Sequence, residues 1–258
     1  MTDTHGLRVG RDEENGVATI TLDVPEKLNR VTMAARDTLR EHFEELGRDE
    51  AVRAIILRGE GPAFTAGGDI QGFLDASPEE VSRLAWNVAA PERCPKPVIA
   101  LLHGYTFGVG LELALACDFR IAAEGTEIAL PELNLGMIPG SGGTQRLARL
   151  VGLGRAKDII MRRRRVDMDE ALVLGLVTEV VPEDELDAAA ARLVAELAST
   201  SPLALAMAKR VLNHAYDGPL GLGLEIEGLA YGLLRTSDDF REGVEAFFEK
   251  RPPKFTGR

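Results

Sequence analysis

The stretch KPVIALLHGYTFGVGLELALACD, residues 96–118, decides how this chain is read. Residues 97–102 (PVIALL) form an apolar run of strand length. With no polar alternation, such a run suits a strand buried on both faces. Gly104, Gly108 and Gly110 follow, and residues 111–117 (LELALAC) are apolar all round except for Glu112. A helix apolar on every side belongs inside a domain. A carboxylate in that helix loses its hydration unless it is paired, or else stays protonated.

Upstream, residues 17–24 (VATITLDV) alternate and are β-branched, which predicts a strand. Residues 33–49 predict a helix whose Leu39, Phe43 and Leu46 share one face, and 54–57 a short buried strand ending at the turn 59–62. Downstream, 120–123 and 127–130 are short strand candidates, followed by a second glycine-rich loop over 136–143. Beyond about residue 155 strand signals nearly vanish apart from 177–181, and helices are expected over 184–199, 202–216, 220–234 and 238–249. The expected organisation is a mixed α/β core over 1–198 and a helical part over 199–258. Helices that follow a complete core and carry their own apolar faces commonly pack on another subunit.

Length and charge narrow the function classes. At about 150 residues per domain, 258 residues make one to two domains. With 30 Lys+Arg against 41 Asp+Glu the net charge is −11, the reverse of a nucleic-acid footprint. Apolar runs such as 98–102 fall far short of the roughly 20 residues of a membrane span. Asp3, Arg8, Arg11 and Asp12 leave no apolar signal region near the start, so a cytoplasmic location is expected. Two cysteines, Cys94 and Cys117, make neither a disulfide framework nor a metal cluster, and no metal site is expected.

Among candidate chemistries, no G-x-S-x-G elbow, phosphate loop or histidine pair at metal spacing occurs. The G-x-G at Gly108 and Gly110 meets Leu113 where a dinucleotide fingerprint needs a small residue. His42, among Arg40, Glu41 and Glu44, is expected at the surface. Two carboxylates stand out, Glu112 in GVGLELALAC and Glu132 in ALPELNLGMIPGSGG, each among apolar residues and glycines. Converging in one pocket, they suit general acid–base work on a C–H bond or water; apart, Glu112 is a paired core residue and Glu132 an ordinary loop acid. The glycines at 67–68 and 108–110 either make tight turns or let two backbone N–H groups form an oxyanion hole.

Together these segments resemble the enoyl-CoA hydratase/isomerase (crotonase) family. The likeness runs through PEKLN at 25–29, GPAFTAGGDI at 61–70, residues 96–118, LPELNLGMIPGSGGTQRLARLVG at 130–152 and FFEKRPPKFTGR at 247–258. The resemblance implies an α/β crotonase-like spiral of ββα turns with a C-terminal helical trimerisation region, as a homotrimer or a hexamer built as a dimer of trimers. It implies an acyl-CoA substrate of the kind met in fatty acid metabolism, with coenzyme A part of the substrate and no separate cofactor. Gly68 and Val109 match the oxyanion-hole positions. Glu112 and Glu132 match the two acids of the hydratases, Glu112 orienting and deprotonating water and Glu132 serving as the acid toward Cα. Lys27, Leu28, Ala66, Gly68, Asp69 and Ile70 match the CoA-binding rim, while Phe247 and Lys250 match positions where a neighbouring subunit's tail reaches CoA. Phe73, Leu74 and residues 78–86 are expected along the acyl pocket.

The chain departs from the usual family pattern at Val109, often glycine, and at His103, usually asparagine and read here as packed structure. The arginines 162–165 are read as a solvated or intersubunit face. The expected activity is hydration of a 2-enoyl-CoA. Alternatives on the same scaffold are a Δ3,Δ2-enoyl-CoA isomerase or another acyl-CoA lyase or hydrolase, and a non-catalytic RNA-binding or scaffold homologue.

Overall fold

The structure, a computed structural model, describes residues 5–258, so Asp3 lies outside the described residues. In chain order the strands are β1 (Leu7–Asp12), β2 (Val17–Leu22), β3 (Ala54–Gly59), β4 (Val98–Leu102), β5 (Tyr105–Phe107), β6 (Phe119–Ala123), β7 (Glu127–Ala129), β8 (Arg165–Val166) and β9 (Glu179–Val181). The helices of the core are α1 (Met33–Arg48), α2 (Pro78–Ser82), α3 (Leu84–Val88), α4 (Ala90–Arg93), α5 (Val109–Ala116), α6 (Gly143–Val151), α7 (Leu153–Met161), α8 (Met168–Val173) and α9 (Leu186–Ala198). After them come α10 (Pro202–Asn213), α11 (Leu220–Leu234) and α12 (Asp238–Glu249).

Six strands form one sheet in the order β1-β2-β3-β4-β6-β9, parallel except for the β1–β2 hairpin, in which Leu7 faces Leu22. The strand β4 shows why its sequence lacks alternation. Val98, Ala100 and Leu102 point into one core with α1 and α5, while Ile99 and Leu101 point into a second core under α9. A smaller sheet, β5-β7-β8, stands at the carboxyl side of β4 and β6 and carries the ends of the two glycine-containing loops. Thr32 caps α1 by accepting from the Ala35 N–H at 3.1 Å, and Leu39, Phe43 and Leu46 are buried on its inner face.

The helical tail is tied to this core by a half-buried lysine. Lys209 of α10 reaches Asp118 Oδ2 at 2.7 Å, the Pro91 carbonyl at 2.7 Å and the Lys96 carbonyl at 3.0 Å. Asp118 also accepts from the Val98 N–H, so the clamp fastens α10 to the start of β4. Burial pushes the Asp118 carboxyl up, and Lys209 pulls against that shift. The next helix, α11, buries none of its residues, and Leu220, Leu222, Leu224, Leu229 and Leu233 are all exposed in the single chain. Among the described residues no helix is long and apolar enough to cross a membrane.

Several sequence-based boundaries are corrected. The strand expected over 17–24 stops at Leu22, because Pro25 opens a short 3-10 turn. The buried helix starts at Val109 rather than 111, and α10 ends at Asn213 rather than 216. The charged strand β1, the short β5 and β8, and the helices α6 and α7 carried no separable pattern and were missed. His42 keeps partial exposure, one position from the inner face of α1. The arginine run is paired rather than merely solvated: Arg164 bonds both Asp158 and Glu170, and Arg165 bonds Glu127.

Replacing Lys209 by methionine leaves Asp118 buried without its cation, so the folded state is expected to lose about 3 kcal/mol. The urea midpoint of Lys209→Met against the parent protein checks this.

Candidate active site

The helix α5 begins at a kink that only glycine accepts. Gly108 has φ 54° and ψ −121°, and its N–H donates to the Ala129 carbonyl at 2.9 Å, tying the helix entrance to the end of β7. Glu132 opens the 3-10 turn that follows β7. Its Oε1 lies 3.1 Å from where a Cβ on Gly108 would stand, so the carboxyl rests directly against the start of α5.

One turn into the same helix, Glu112 is 2 % exposed. Its Oε1 accepts two backbone N–H groups, from Ser141 at 2.7 Å and from Gly143 at 3.0 Å. These amides stand at the entrance to α6, where free N–H groups and the helix dipole both favour a negative charge. A Cβ on Gly143 would come within 3.0 Å of that oxygen and 2.9 Å of Pro139, so the approach requires glycine. The second glycine-rich loop is thus the cradle of Glu112.

The two acids differ sharply in setting. Glu132 is half-buried, and its Oε2 is enclosed without a hydrogen-bond partner. Burial, reinforced by the charge of Glu112, pushes its carboxyl up to about 7, against the opposing pull of a backbone N–H and Arg36. At neutral pH Glu132 is therefore partly protonated and able to give a proton, whereas Glu112 accepts two backbone N–H groups.

Two backbone N–H groups, of Gly68 and Val109, make no backbone hydrogen bond. Val31 bridges the 67–69 segment by donating to the Gly67 carbonyl at 3.0 Å and accepting from the Asp69 N–H at 3.1 Å. That pairing uses the neighbours of Gly68 and leaves its own N–H directed to the other side. The N–H of Val109, first in α5, has no partner within the helix. The structure thus brings Glu112, Glu132 and Val109 together around the start of α5, with Gly68 linked to them through Arg36 and Ser141.

The remaining candidates divide into two groups. Ala66 donates its N–H to the Leu28 carbonyl at 2.9 Å, so Lys27, Leu28 and Ala66 make one exposed rim that continues through Asp69 and Ile70. Asp69 faces Arg30 at 3.1 Å. Phe247 and Lys250 stand elsewhere in the chain, at the end of α12. Phe247, 79 % exposed, lines a cavity of about 740 Å³ with Tyr231, Phe240, Phe248 and Phe255, away from the other candidates. Of the expected acyl-pocket residues, Phe73 packs near Gly68, while Trp86 is exposed and stacked under Arg93 at 3.9 Å. His103 is buried and donates from Nε2 to the Gly61 carbonyl at 2.8 Å, a structural bond that closes the 59–62 turn.

Sequence reasoning missed Arg36. It lies on the inner face of α1, three residues before Leu39, and is 3 % exposed. Its Nη1 reaches Ser141 Oγ at 3.5 Å, and the guanidinium sits over the Phe73 ring at 5.3 Å. The available signal was a cation on the apolar stripe 36-39-43-46.

Comparisons with known proteins give the family. Residues 12–258 match the enoyl-CoA hydratase/isomerase family. The chain is 36 % identical over 248 residues to a short-chain-enoyl-CoA hydratase of Clostridium acetobutylicum, covering 93 % of this chain and 94 % of that one. It is 37 % identical over 259 residues to an enoyl-CoA isomerase/hydratase of Mycosarcoma maydis, with 95 % and 94 % covered. The crystal structure of an enoyl-CoA hydratase from Bacillus anthracis superposes with a TM-score of 0.91 at 36 % identity, covering 98 % of this chain and all of that one.

The raised Glu132 carboxyl has a consequence for stability. An ordinary glutamate gives up its proton near 4.5, but folded Glu132 keeps it up to about 7. As pH rises through that window the folded state holds the extra proton, so this group's contribution to stability falls and stays low above 7. Glu132→Gln should unfold at higher temperature than the parent above pH 7, with the difference vanishing below 4.5; melting curves across that range check it.

Proposed function

Because the chain belongs to the enoyl-CoA hydratase/isomerase family, we propose that it is an enoyl-CoA hydratase, adding water across the double bond of a 2-enoyl-CoA thioester. The observation that carries this reading is the opposite setting of two neighbouring carboxylates. Glu112 is held by two amide donors, and Glu132 is enclosed without a partner on Oε2 and raised to about 7. One is suited to take a proton from water, the other to deliver one.

In the proposed reaction the thioester oxygen lies between the Gly68 and Val109 N–H groups. Glu112 draws a proton from the bound water as the water oxygen bonds to Cβ. The electron pair of the double bond moves toward the thioester, whose oxygen carries the enolate charge against the two amides. Glu132 then supplies the proton to Cα, and the two acids exchange protons with solvent before the next turnover. Retention of both acids favours hydration over a simple double-bond shift, for which a single base suffices.

Lys27, Leu28, Ala66, Asp69 and Ile70 form the rim proposed to receive the CoA portion, with the Lys27 ammonium available to phosphate. Phe247 and Lys250, remote from that rim in one chain, would reach a neighbour's CoA in a trimer, or in a hexamer of two trimers. The exposed leucines of α11 support such an assembly.

Mixing the protein with crotonyl-CoA should give a fast fall in the ultraviolet absorbance of the conjugated thioester, with 3-hydroxybutyryl-CoA identified by mass. Formation of a 2-enoyl product from a 3-enoyl thioester, without hydration, would overturn the hydratase reading in favour of an isomerase. Glu132→Gln should lower turnover by about 100-fold or more with size and fold unchanged.

A further inference from the structure

Arg36 is a buried cation whose position no part of the proposed reaction has yet used. Its Nε is enclosed and has no hydrogen-bond partner, and its hydrogen bond to Ser141 Oγ is long at 3.5 Å. A guanidinium carries five donors and stays charged, so enclosing it in this way is costly unless nearby negative charge compensates it.

That compensation comes through space from the two acids. Glu112 on α5 and Glu132 in the turn after β7 both favour the charged form of Arg36, while burial lowers it to about 10, still protonated at neutral pH. Asp69, beside Gly68, lies against Arg30 instead. The guanidinium also stands close to the two places where the reaction places charge. Its Nη2 lies 2.8 Å from where a Cβ on Gly68 would stand, and its Nη1 reaches the side chain of Ser141, whose N–H holds Glu112. Any side chain on Gly68 would strike this guanidinium. The Phe73 ring lies 5.3 Å from the guanidinium.

We propose that Arg36 is a positioning residue of this site: a fixed cation, set between the Gly68 amide and the Glu112 cradle, that loosens the proton held by the pair of acids so that it can be passed on. The chemistry requires one acid able to accept a proton and one able to give it. Two enclosed carboxylates without a nearby cation resist a second charge, so the pair grips its last proton tightly. A positive charge near both eases release of that proton, so that Glu132 can give it up near neutral pH. It also stands beside the amide at which the enolate charge develops, and a fixed charge there needs no rearrangement during reaction. The kinetic consequence rests on the hydratase reading; the protonation of the acids does not.

The test therefore separates the two. In protein labelled at the glutamate carboxyl carbons, NMR titration without substrate follows the Glu132 resonance, identified by its loss in Glu132→Gln. In Arg36→Met and Arg36→Gln, two neutral replacements of different polarity, the Glu132 midpoint should rise by about one pH unit, a tenfold gain in proton affinity. Arg36→Lys, which keeps the charge, should stay near the parent. With crotonyl-CoA, the neutral variants should show the alkaline limb of the kcat profile moved up by the same pH unit, with KM nearly unchanged. An unchanged Glu132 midpoint in a folded neutral variant overturns the proposal, whatever the substrate proves to be. So does a loss confined to thioesters whose acyl group bears a second carboxylate, which would make Arg36 a binder of that group. If the parent protein does not hydrate any enoyl thioester but the midpoint shifts as expected, the hydratase reading fails and the role of Arg36 stands.

Discussion

A carboxyl group inside an otherwise apolar helix must find hydrogen-bond partners, and α5 offers none from its own side chains. Glu112 finds them in the backbone of another segment, the Ser141 and Gly143 amides. Much of the local architecture follows from that need. The 136–143 loop must fold back across the entrance of α5, Gly143 must lack a Cβ, and α6 must begin where its free N–H groups face the carboxylate. The parallel strands β4 and β6 hold α5 at the carboxyl edge of the sheet, the usual place for a ligand crevice in open α/β sheets.

The second acid derives its character from the absence of what the first one has. Glu132 rests against Gly108 with one oxygen enclosed and unpaired, so burial and the charge of Glu112 dominate its proton affinity. Two residues of the same chemical type are thereby given different working states by their backbone surroundings. Arg36 belongs to the same balance, since it faces both and neutralises part of the negative charge gathered there.

The C-terminal helices show a different logic. Lys209 fixes α10 to Asp118 and to two carbonyls of the core, a polar clamp with little freedom. Beyond it α11 leaves a row of leucines exposed, and the cavity lined by Phe240, Phe247, Phe248 and Phe255 is apolar and open. A surface of that kind is stable in water when covered. The CoA-contacting positions that family resemblance put at Phe247 and Lys250 lie in this region, apart from the rim around Leu28 and Ala66.

Much of the fold was legible because its periodicity is strong. The uninterrupted run at 98–102 marked a strand buried on both faces, the stripe Leu39-Phe43-Leu46 marked α1, and the helices at 220–234 and 238–249 have the ends their sequence signals implied. Short or charged elements such as β1, β5 and β8 could not be seen, because two to six residues carry too little pattern to outweigh their polar or glycine neighbours. Glu112 and Glu132 were singled out by one principle, that a carboxylate among apolar residues needs a reason to be there. What the sequence by itself determined was which residue types were available: two acids, glycines placed for close approach, and a helix too apolar to be exposed. Which acid holds a proton, which amides stay free, and that Arg36 faces both carboxylates were decided only by the tertiary structure. Proton affinity and charge compensation depend on burial and on distances between segments far apart in the chain, and neither quantity exists until those segments pack.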